Sequence, residues 1–234
     1  HTMSSTSPSF IGEYFIDEKI CDKLIEFFHS TPDQPDRINP HWYIKAPGQI
    51  GVAETAVRPE LKDSTDLTFN SAALMYSPDL PVNSLPYRDI LNEYFWHMRP
   101  CLEAYGKEYS HSFESVFQVK ESVNLQHYTP GGGYPILHCE RSGPYDPSIY
   151  RHLVFMTYLN TVTDEGGTHF HYQDHTANAV KGKTLIWPCD WTHMHKGIPS
   201  PTQDKYIMTG WYSHTDPDAI WVDNQGDVQL TLDL

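Results

Sequence analysis

Short stretches of strand-forming residues, each closed by turn-forming ones, make up the chain from about residue 121 onward. The predicted strands are 121–128, 134–138, 151–159, 168–173, 183–188, 193–196 and 205–213. The turn-forming segments between them are 130–133, 143–144, 166–167, 181–182 and 199–201. Strands this short and this numerous are typical of a β-sandwich or a barrel.

The first half of the chain shows helical spacing of apolar residues in two places. These residues share one helical face in 18–28, where Asp17 is a suitable N-cap, and again in 87–105. Two helices followed by many strands favour a mainly β (α+β) fold in which the helices pack on one sheet.

Composition predicts one soluble domain, 4–234, without an internal linker. The chain has 234 residues, of which 39% are apolar, and this is enough for a sizeable core. Its formal net charge of −14 disfavours a nucleic-acid partner, because a polyanion would be repelled. The apolar runs are too short for a membrane span. The sequence does not indicate an oligomeric state.

The four cysteines are scattered and form no CxxC pair: Cys21, Cys101, Cys139 and Cys189. This spacing argues against a disulfide framework and against a zinc-thiolate site, and it predicts a cytoplasmic location. Residues 1–2 indicate a tag remnant before a native Met3, and no signal peptide is expected after it.

Histidine is unusually clustered, because eight of the fourteen histidines fall between His127 and His195. Within this stretch, His138 and Glu140 are two residues apart. In an extended segment their side chains point the same way and can reach one metal ion. A third ligand from a distant strand would complete a set of two histidines and one carboxylate, which suits iron(II) with three open positions.

Five motifs in order accompany this pair over about 120–213. They are LQHYTPGGGY at 125–134 followed by His138 and Glu140, RHLVFMTYLN at 151–160, GGTHF at 166–170, KTLIWP at 183–188, and His195 followed by Lys205, Thr209 and Trp211. Together they resemble the prolyl-4-hydroxylase-like branch of the Fe(II)/2-oxoglutarate-dependent dioxygenases. The sequence departs from the family in having Glu140 where Asp is usual and Lys205 where many members carry Arg.

The resemblance implies a double-stranded β-helix (jelly-roll) core and an enzyme that needs iron(II) and 2-oxoglutarate, with ascorbate as a possible reductant. His138, Glu140 and His195 are then the metal ligands and the catalytic centre. Lys205 is expected to hold the distal carboxylate of 2-oxoglutarate. The residues expected to assist it are Tyr128, Tyr158 and Thr209, of which Thr209 shares the strand face of Lys205. Trp211 is expected to be a wall residue without a chemical role.

Three alternatives to this assignment remain at the level of sequence. His193 lies two residues before His195, so on a strand both side chains could face the metal. The ten-residue spacing to Lys205 favours His195 as the third ligand. His169 and His171 form another evenly spaced pair that resembles a cupin metal site, which would serve a metal-dependent dioxygenase that does not use 2-oxoglutarate. A non-catalytic jelly-roll binding module is the other rival class.

The resemblance suggests hydroxylation of an unactivated C–H bond in a prolyl residue of a peptide or protein, with a small-molecule substrate as the other possibility. Arg141 and Tyr145 follow the ligand pair and are candidates for substrate contact. Segment 33–66 is either a substrate lid or a surface excursion. Within the single domain, we expect 4–118 to be a supporting region, 119–215 the jelly-roll core with the metal site, and 216–234 a tail.

Overall fold

The computed structural model describes residues 9–34, 42–50 and 56–216. The helices in these ranges are α1 (Glu18–Ser30), α2 (Ser71–Tyr76) and α3 (Leu85–Glu108). The strands are β1 (Gly12–Phe15), β2 (Tyr43–Pro47), β3 (Thr65–Phe69), β4 (Phe117–Gln118), β5 (Val123–Tyr128), β6 (Arg151–Tyr158), β7 (Thr168–Phe170), β8 (His175–Ala177), β9 (Lys183–Pro188), β10 (His195–Gly197) and β11 (Lys205–His214). Among the described residues, no helix is both long and apolar enough to cross a membrane.

Two antiparallel sheets form the body of the domain. The major sheet has the order β1-β9-β6-β11-β5-β3-β2, with β4 paired to β11, and the minor sheet has the order β10-β7-β8. Strands that are distant in sequence are neighbours in both sheets, as in a double-stranded β-helix. The predicted mainly β jelly-roll class is therefore confirmed.

The helices pack on one face of the major sheet, and the minor sheet lies on the other. Strand β6 shows why, because its side chains alternate between the two cores. Leu153 and Phe155 belong to the core shared with α1 and α3. Val154, Met156 and Tyr158 belong to the second core, together with Phe170 and Ala177 of the minor sheet. The metal-site motifs all lie on the side of this second core.

Both predicted helices are present and slightly longer than expected. Helix α1 is capped by the side chain of Asp17, which accepts a hydrogen bond from the backbone N of Lys19 at 2.8 Å. Helix α3 extends the predicted 87–105 at both ends and continues through Pro100. The short helix α2 was not predicted, because six residues are too few to show a period.

Three strand predictions were wrong in part. Segment 134–138 is not a strand: it forms an isolated bridge from His138 to His195, and the carbonyl oxygen of Tyr134 accepts a hydrogen bond from Gly197 N at 3.0 Å. Segment 193–196 begins with a single helical turn, so β10 starts at His195. Strand β7 ends at Phe170, because the chain turns there and Asp174 adopts a positive φ of 45°.

The amino-terminal part contributes strands that the sequence did not indicate. Strand β1 pairs with β9 at one edge of the major sheet, while β3 pairs with β5 and carries β2 at the other edge. Strands β2 and β3 fall partly within 33–66, of which 35–41 and 51–55 lie outside the described residues. Residues 217–234 of the predicted tail and the tag remnant at 1–2 also lie outside them. The division into support, core and tail remains a prediction.

Candidate metal centre and the cavity around it

The inner face of the major sheet forms the wall of a cavity of about 1530 Å³. Strand β11 contributes every second residue to this wall: Lys205, Ile207, Thr209, Trp211 and Ser213. Lys205 and Thr209 therefore face the same side of β11, as their even spacing predicts. His138, Glu140 and His195 line the same cavity.

The predicted ligands come together at one point of this cavity. The backbones of His138 and His195 exchange two hydrogen bonds, of 3.0 and 2.8 Å, which place the two imidazoles side by side. Glu140 Oε1 lies 3.2 Å from His138 Nε2 and 3.0 Å from His195 Nε2. Among the described residues, these three form the only group of His, Cys, Asp or Glu ligand atoms that lie within 4.8 Å of one another.

Both imidazoles present the same nitrogen to this point. His138 Nδ1 is 2.7 Å from the carbonyl oxygen of Ile136, and His195 Nδ1 is 2.8 Å from that of His193. A carbonyl oxygen only accepts hydrogen bonds, so each Nδ1 carries a proton and each Nε2 is the nitrogen that would hold a metal ion. Two imidazole Nε2 atoms and one carboxylate suit a divalent cation with open positions.

The second oxygen of Glu140 is held by Trp211, so the expectation that Trp211 has no chemical role was wrong. Trp211 Nε1 donates to Glu140 Oε2 at 3.0 Å. The guanidinium of Arg151 lies 3.6 Å from the centre of the Trp211 ring and donates to the carbonyl oxygen of Glu140 at 2.8 Å. Glu121 fixes Arg151 with two hydrogen bonds of 2.7 and 2.8 Å.

The charge of Glu140 is maintained despite its position. Burial disfavours its ionised form, but hydrogen bonds and positive charge from His138 and His195 outweigh burial and hold the pKa of the carboxyl well below its usual range. A carboxylate that is ionised before any cation binds is a suitable third ligand.

Trp211→Phe is expected to weaken iron(II) binding about 10–100-fold, which is the usual cost of losing a hydrogen bond to a ligand. Phenylalanine keeps a ring beneath Arg151 but cannot donate to Glu140. Equilibrium titration of the apo-protein with iron(II) under nitrogen measures the change. The matched control is Trp191→Phe, because Trp191 is 64% exposed at the cavity rim and contacts no ligand. Equal affinities in all three proteins would contradict this role.

His193 is excluded as the third ligand by its own contacts. Its Nε2 is 2.9 Å from the carbonyl oxygen of Ser9, and its Nδ1 is 2.9 Å from Thr192 Oγ1. Both nitrogens are therefore occupied, one by the amino-terminal segment and the other by the neighbouring threonine. The spacing argument for His195 agrees with the structure.

The cupin-like pair does not form a metal site among the described residues. His169 contacts Thr176 Oγ1 at 2.8 Å on the outer side of β7, and His171 is exposed. Asp174 is exposed as well.

Lys205 is a buried cation without an acidic partner among the residues that the structure describes. It is 6% exposed, and its Nζ lies 5.6 Å and 5.8 Å from the ring centres of Tyr128 and Tyr158. Burial lowers the pKa of its ammonium to about 8. A buried charge of this kind calls for a carboxylate. The distal carboxylate of 2-oxoglutarate fits this requirement.

The two predicted tyrosines flank Lys205 with their rings, while their hydroxyls have other partners. Tyr128 donates to Gln126 Oε1 at 2.7 Å. Tyr158 lies 2.5 Å from Thr168 Oγ1 and 3.4 Å from the carbonyl oxygen of Ala177. Of the hydrogen-bonded pair, Thr168 lines the cavity and Tyr158 does not.

Thr209 lines the cavity but lies too far along β11 to join Lys205 at one carboxylate. Four strand residues span roughly 13 Å. Its Oγ1 donates to the carbonyl oxygen of Phe155 at 3.1 Å. Thr209 therefore lies nearer to Trp211 and the metal ligands than to Lys205.

The two substrate candidates differ in position. Arg141 lines the cavity, where its guanidinium bonds to Asp190 at 2.8 Å and to the carbonyl oxygen of Arg151. Tyr145 is 49% exposed and is not part of the described cavity wall. Arg141 is thus placed at the mouth of the site, and Tyr145 is not.

Sequence reasoning missed several residues of the site: Gln126, Tyr134, Arg151, Thr168 and Trp211. Trp211 had a usable signal, because it lies six residues after Lys205 on the same strand and shares its face. Tyr134 has a ring centre 4.3 Å from that of His138. It follows a loop, so the direction of its side chain could not be predicted from strand alternation. Arg151 begins a strand, and a charged first residue gives no indication of what it contacts.

Comparison with known families agrees with this geometry. Residues 123–213 match the family described as the 2OG-Fe(II) oxygenase superfamily. The match begins at β5 and ends within β11, so it contains the three ligands and Lys205. No curated protein matches the sequence.

Several solved structures share the fold at low sequence identity. The viral collagen prolyl hydroxylase of Paramecium bursaria Chlorella virus-1, solved as a 2OG complex, is 16% identical with a TM-score of 0.56, over 88% of this chain and 97% of that one. A prolyl-4-hydroxylase from Pseudomonas putida is 14% identical with a TM-score of 0.53, over 88% and 94%. A prolyl hydroxylase from Trichoplax adhaerens is 12% identical with a TM-score of 0.56, over 88% and 84%.

Proposed function

We propose that this chain, a member of the 2OG-Fe(II) oxygenase superfamily, hydroxylates a prolyl residue of a peptide or protein. One observation carries the proposal. A two-histidine, one-carboxylate centre shares one cavity of about 1530 Å³ with Lys205, a buried lysine that has no acidic partner within the described part of the chain.

Iron(II) and 2-oxoglutarate, when bound, supply the oxidising chemistry: one oxygen atom of O₂ enters a C–H bond of the substrate, and the other enters succinate as CO₂ is released. His138, Glu140 and His195 would hold the metal, and Lys205 would hold the distal carboxylate. Trp211 keeps Glu140 oriented. The apolar side chains of Val154, Met156 and Ile207 line the cavity and limit the access of water.

The size of the cavity supports a peptide rather than a small metabolite. Small-molecule pockets usually measure about 300–1,000 Å³, and this cavity measures about 1530 Å³. Its rim carries half-exposed apolar side chains, among them Tyr150 and Trp191. The structurally similar Trichoplax enzyme was solved with a peptide fragment of the hypoxia inducible factor oxygen degradation domain. We also propose a cytoplasmic location, which rests on the scattered cysteines alone.

Mass spectrometry of peptides tests the reaction. The enzyme is incubated with iron(II), 2-oxoglutarate, ascorbate and air, together with proline-containing peptides and matched peptides in which alanine replaces each proline. We expect one added oxygen on a prolyl residue and none on the alanine peptides, and no product with His138→Ala. Hydroxylation of a small molecule with no turnover of any peptide would contradict the proposed substrate class.

The affinity for 2-oxoglutarate is expected to fall with pH above about 8. Only the ammonium form of Lys205 attracts the distal carboxylate, and burial has lowered its pKa to about 8. Below this pH the dissociation constant should be flat, and above it the constant should rise by about tenfold per pH unit. Lys205→Arg should show no such rise, because arginine remains charged. Cosubstrate titrations from about pH 7 to pH 9 give both profiles.

A further inference from the structure

Two side-chain amides line the cavity without any part in the metal centre or the Lys205 contact. Asn124 and Gln126 lie on β5, two residues apart, so both face the cavity. They sit opposite Thr209 and Ile207 of β11, one strand away from the row that carries Lys205.

The hydrogen bonds of these amides leave their NH₂ groups available. Thr68 Oγ1 donates to Asn124 Oδ1 at 2.7 Å, and the Tyr128 hydroxyl donates to Gln126 Oε1 at 2.7 Å. Among the described residues, none accepts a hydrogen bond from Asn124 Nδ2 or Gln126 Nε2. Each amide therefore offers donors to whatever enters the cavity.

The nearby acid does not compete for these donors. Asp66 lies opposite Gln126 in the sheet register. Its two carboxylate oxygens are occupied by Lys62 Nζ at 2.9 Å and by Ser64 Oγ at 2.7 Å. Asp66 is thus held by its own partners, and the two amides present neutral N–H donors to the cavity.

The spacing of the two amides matches an extended chain. Two residues of a strand advance about 6.6 Å. Alternate carbonyl groups of a fully extended peptide point to the same side and are separated by about 6.6 Å, since such a chain advances about 3.3 Å per residue. Those of a polyproline II helix point in different directions, because that helix has three residues per turn. Two neutral donors at this distance therefore suit two carbonyl oxygens of a peptide in an extended, strand-like conformation.

We propose that Asn124 and Gln126 form a subsite that binds main-chain carbonyl groups of an extended peptide substrate. This inference rests on the proposed function and names the substrate contacts of the same cavity. Because main-chain atoms are the same in every peptide, the subsite positions the chain without selecting its side chains.

Peptide binding to the enzyme loaded with iron(II) and 2-oxoglutarate under nitrogen tests the subsite without turnover. The probe is a peptide with one proline between flanking valine and threonine residues, which favour an extended conformation, and the variants are Asn124→Leu and Gln126→Met. Each is expected to weaken peptide binding about three- to tenfold, the usual effect of one lost hydrogen bond. A peptide with one amide bond replaced by an ester carries a weaker acceptor, so it should bind the wild type less tightly than the all-amide peptide does. That difference should shrink in a variant that lacks the matching donor.

The dissociation constant of 2-oxoglutarate is measured in the same proteins from its visible absorption. It should be unchanged in Asn124→Leu. Gln126→Met also frees the Tyr128 hydroxyl beside Lys205, so the peptide affinity of this variant is compared with that of the wild type at saturating 2-oxoglutarate. A variant that weakens 2-oxoglutarate binding and leaves peptide binding intact would assign the amides to the cosubstrate and overturn the inference. Failure of the wild type to bind the peptide would also overturn it. Binding without hydroxylation would overturn only the proposed reaction.

Discussion

His195→Ala is expected to abolish iron(II) binding, whereas His193→Ala should leave it intact. His195 Nε2 faces Glu140 Oε1 at 3.0 Å and is one of three donors in the centre. Loss of a ligand should cost more than the 10–100-fold that follows loss of a hydrogen bond to a ligand. His193 contributes only its backbone carbonyl to the site, and alanine retains that carbonyl.

His193→Ala should instead lower the stability of the fold. His193 is 3% exposed and bridges the carbonyl oxygen of Ser9 and the hydroxyl of Thr192. Its removal should lower the free energy of unfolding by about 1–3 kcal/mol. Iron titration and denaturant unfolding of both variants measure these effects. Loss of iron binding in His193→Ala at full folding would contradict the assigned ligand set.

Lys205→Met is expected to raise the dissociation constant of 2-oxoglutarate by about 10–150-fold. A hydrogen bond to a charged group contributes roughly 1.5–3 kcal/mol, and each 1.4 kcal/mol corresponds to a factor of ten. Lys205→Arg should retain much of the affinity, because its guanidinium also pairs with a carboxylate. Iron(II) affinity should be unchanged in both variants, which separates this effect from damage to the metal centre.

The same Lys205→Met change should stabilise the protein in the absence of cosubstrate. The pKa of Lys205 falls from 10.5 to about 8 in the folded chain, which corresponds to a destabilisation on the order of 3 kcal/mol at neutral pH. The sign follows from proton binding: the unfolded chain binds the proton more tightly, so the stability of the wild type should rise with pH between about 8 and 10.4. Urea unfolding without cosubstrate should show this rise in the wild type and not in Lys205→Met. A less stable Lys205→Met variant would contradict the account.

The approach of His138 and Glu140 was predictable from sequence because two-residue spacing is local. The choice of His195 came from the order of the motifs and its spacing to Lys205, and the structure brings it to the same point. Strand parity likewise placed Lys205 and Thr209 in the cavity. The same rule applied to Trp211 would have shown that it faces the metal ligands.

Other features depend on contacts between distant segments and had no local signal. The hydrogen bond from Trp211 to Glu140 links residues 71 positions apart. Strands β1 and β3 form because β9 and β5 offer free edges, and their own residues do not show a strong alternation. The Tyr158 hydroxyl turns to Thr168, a residue of the minor sheet, so strand parity alone could not assign its partner.

An anaerobic titration of the apo-protein with iron(II) and 2-oxoglutarate tests whether the metal centre and Lys205 bind the two components together. We expect a visible metal-to-ligand charge-transfer band that requires both components, is absent in His195→Ala, and appears only at higher cosubstrate concentration in Lys205→Met. Tight iron(II) binding without this band at saturating 2-oxoglutarate would contradict the assignment of the cavity to an iron(II)- and 2-oxoglutarate-dependent oxygenase.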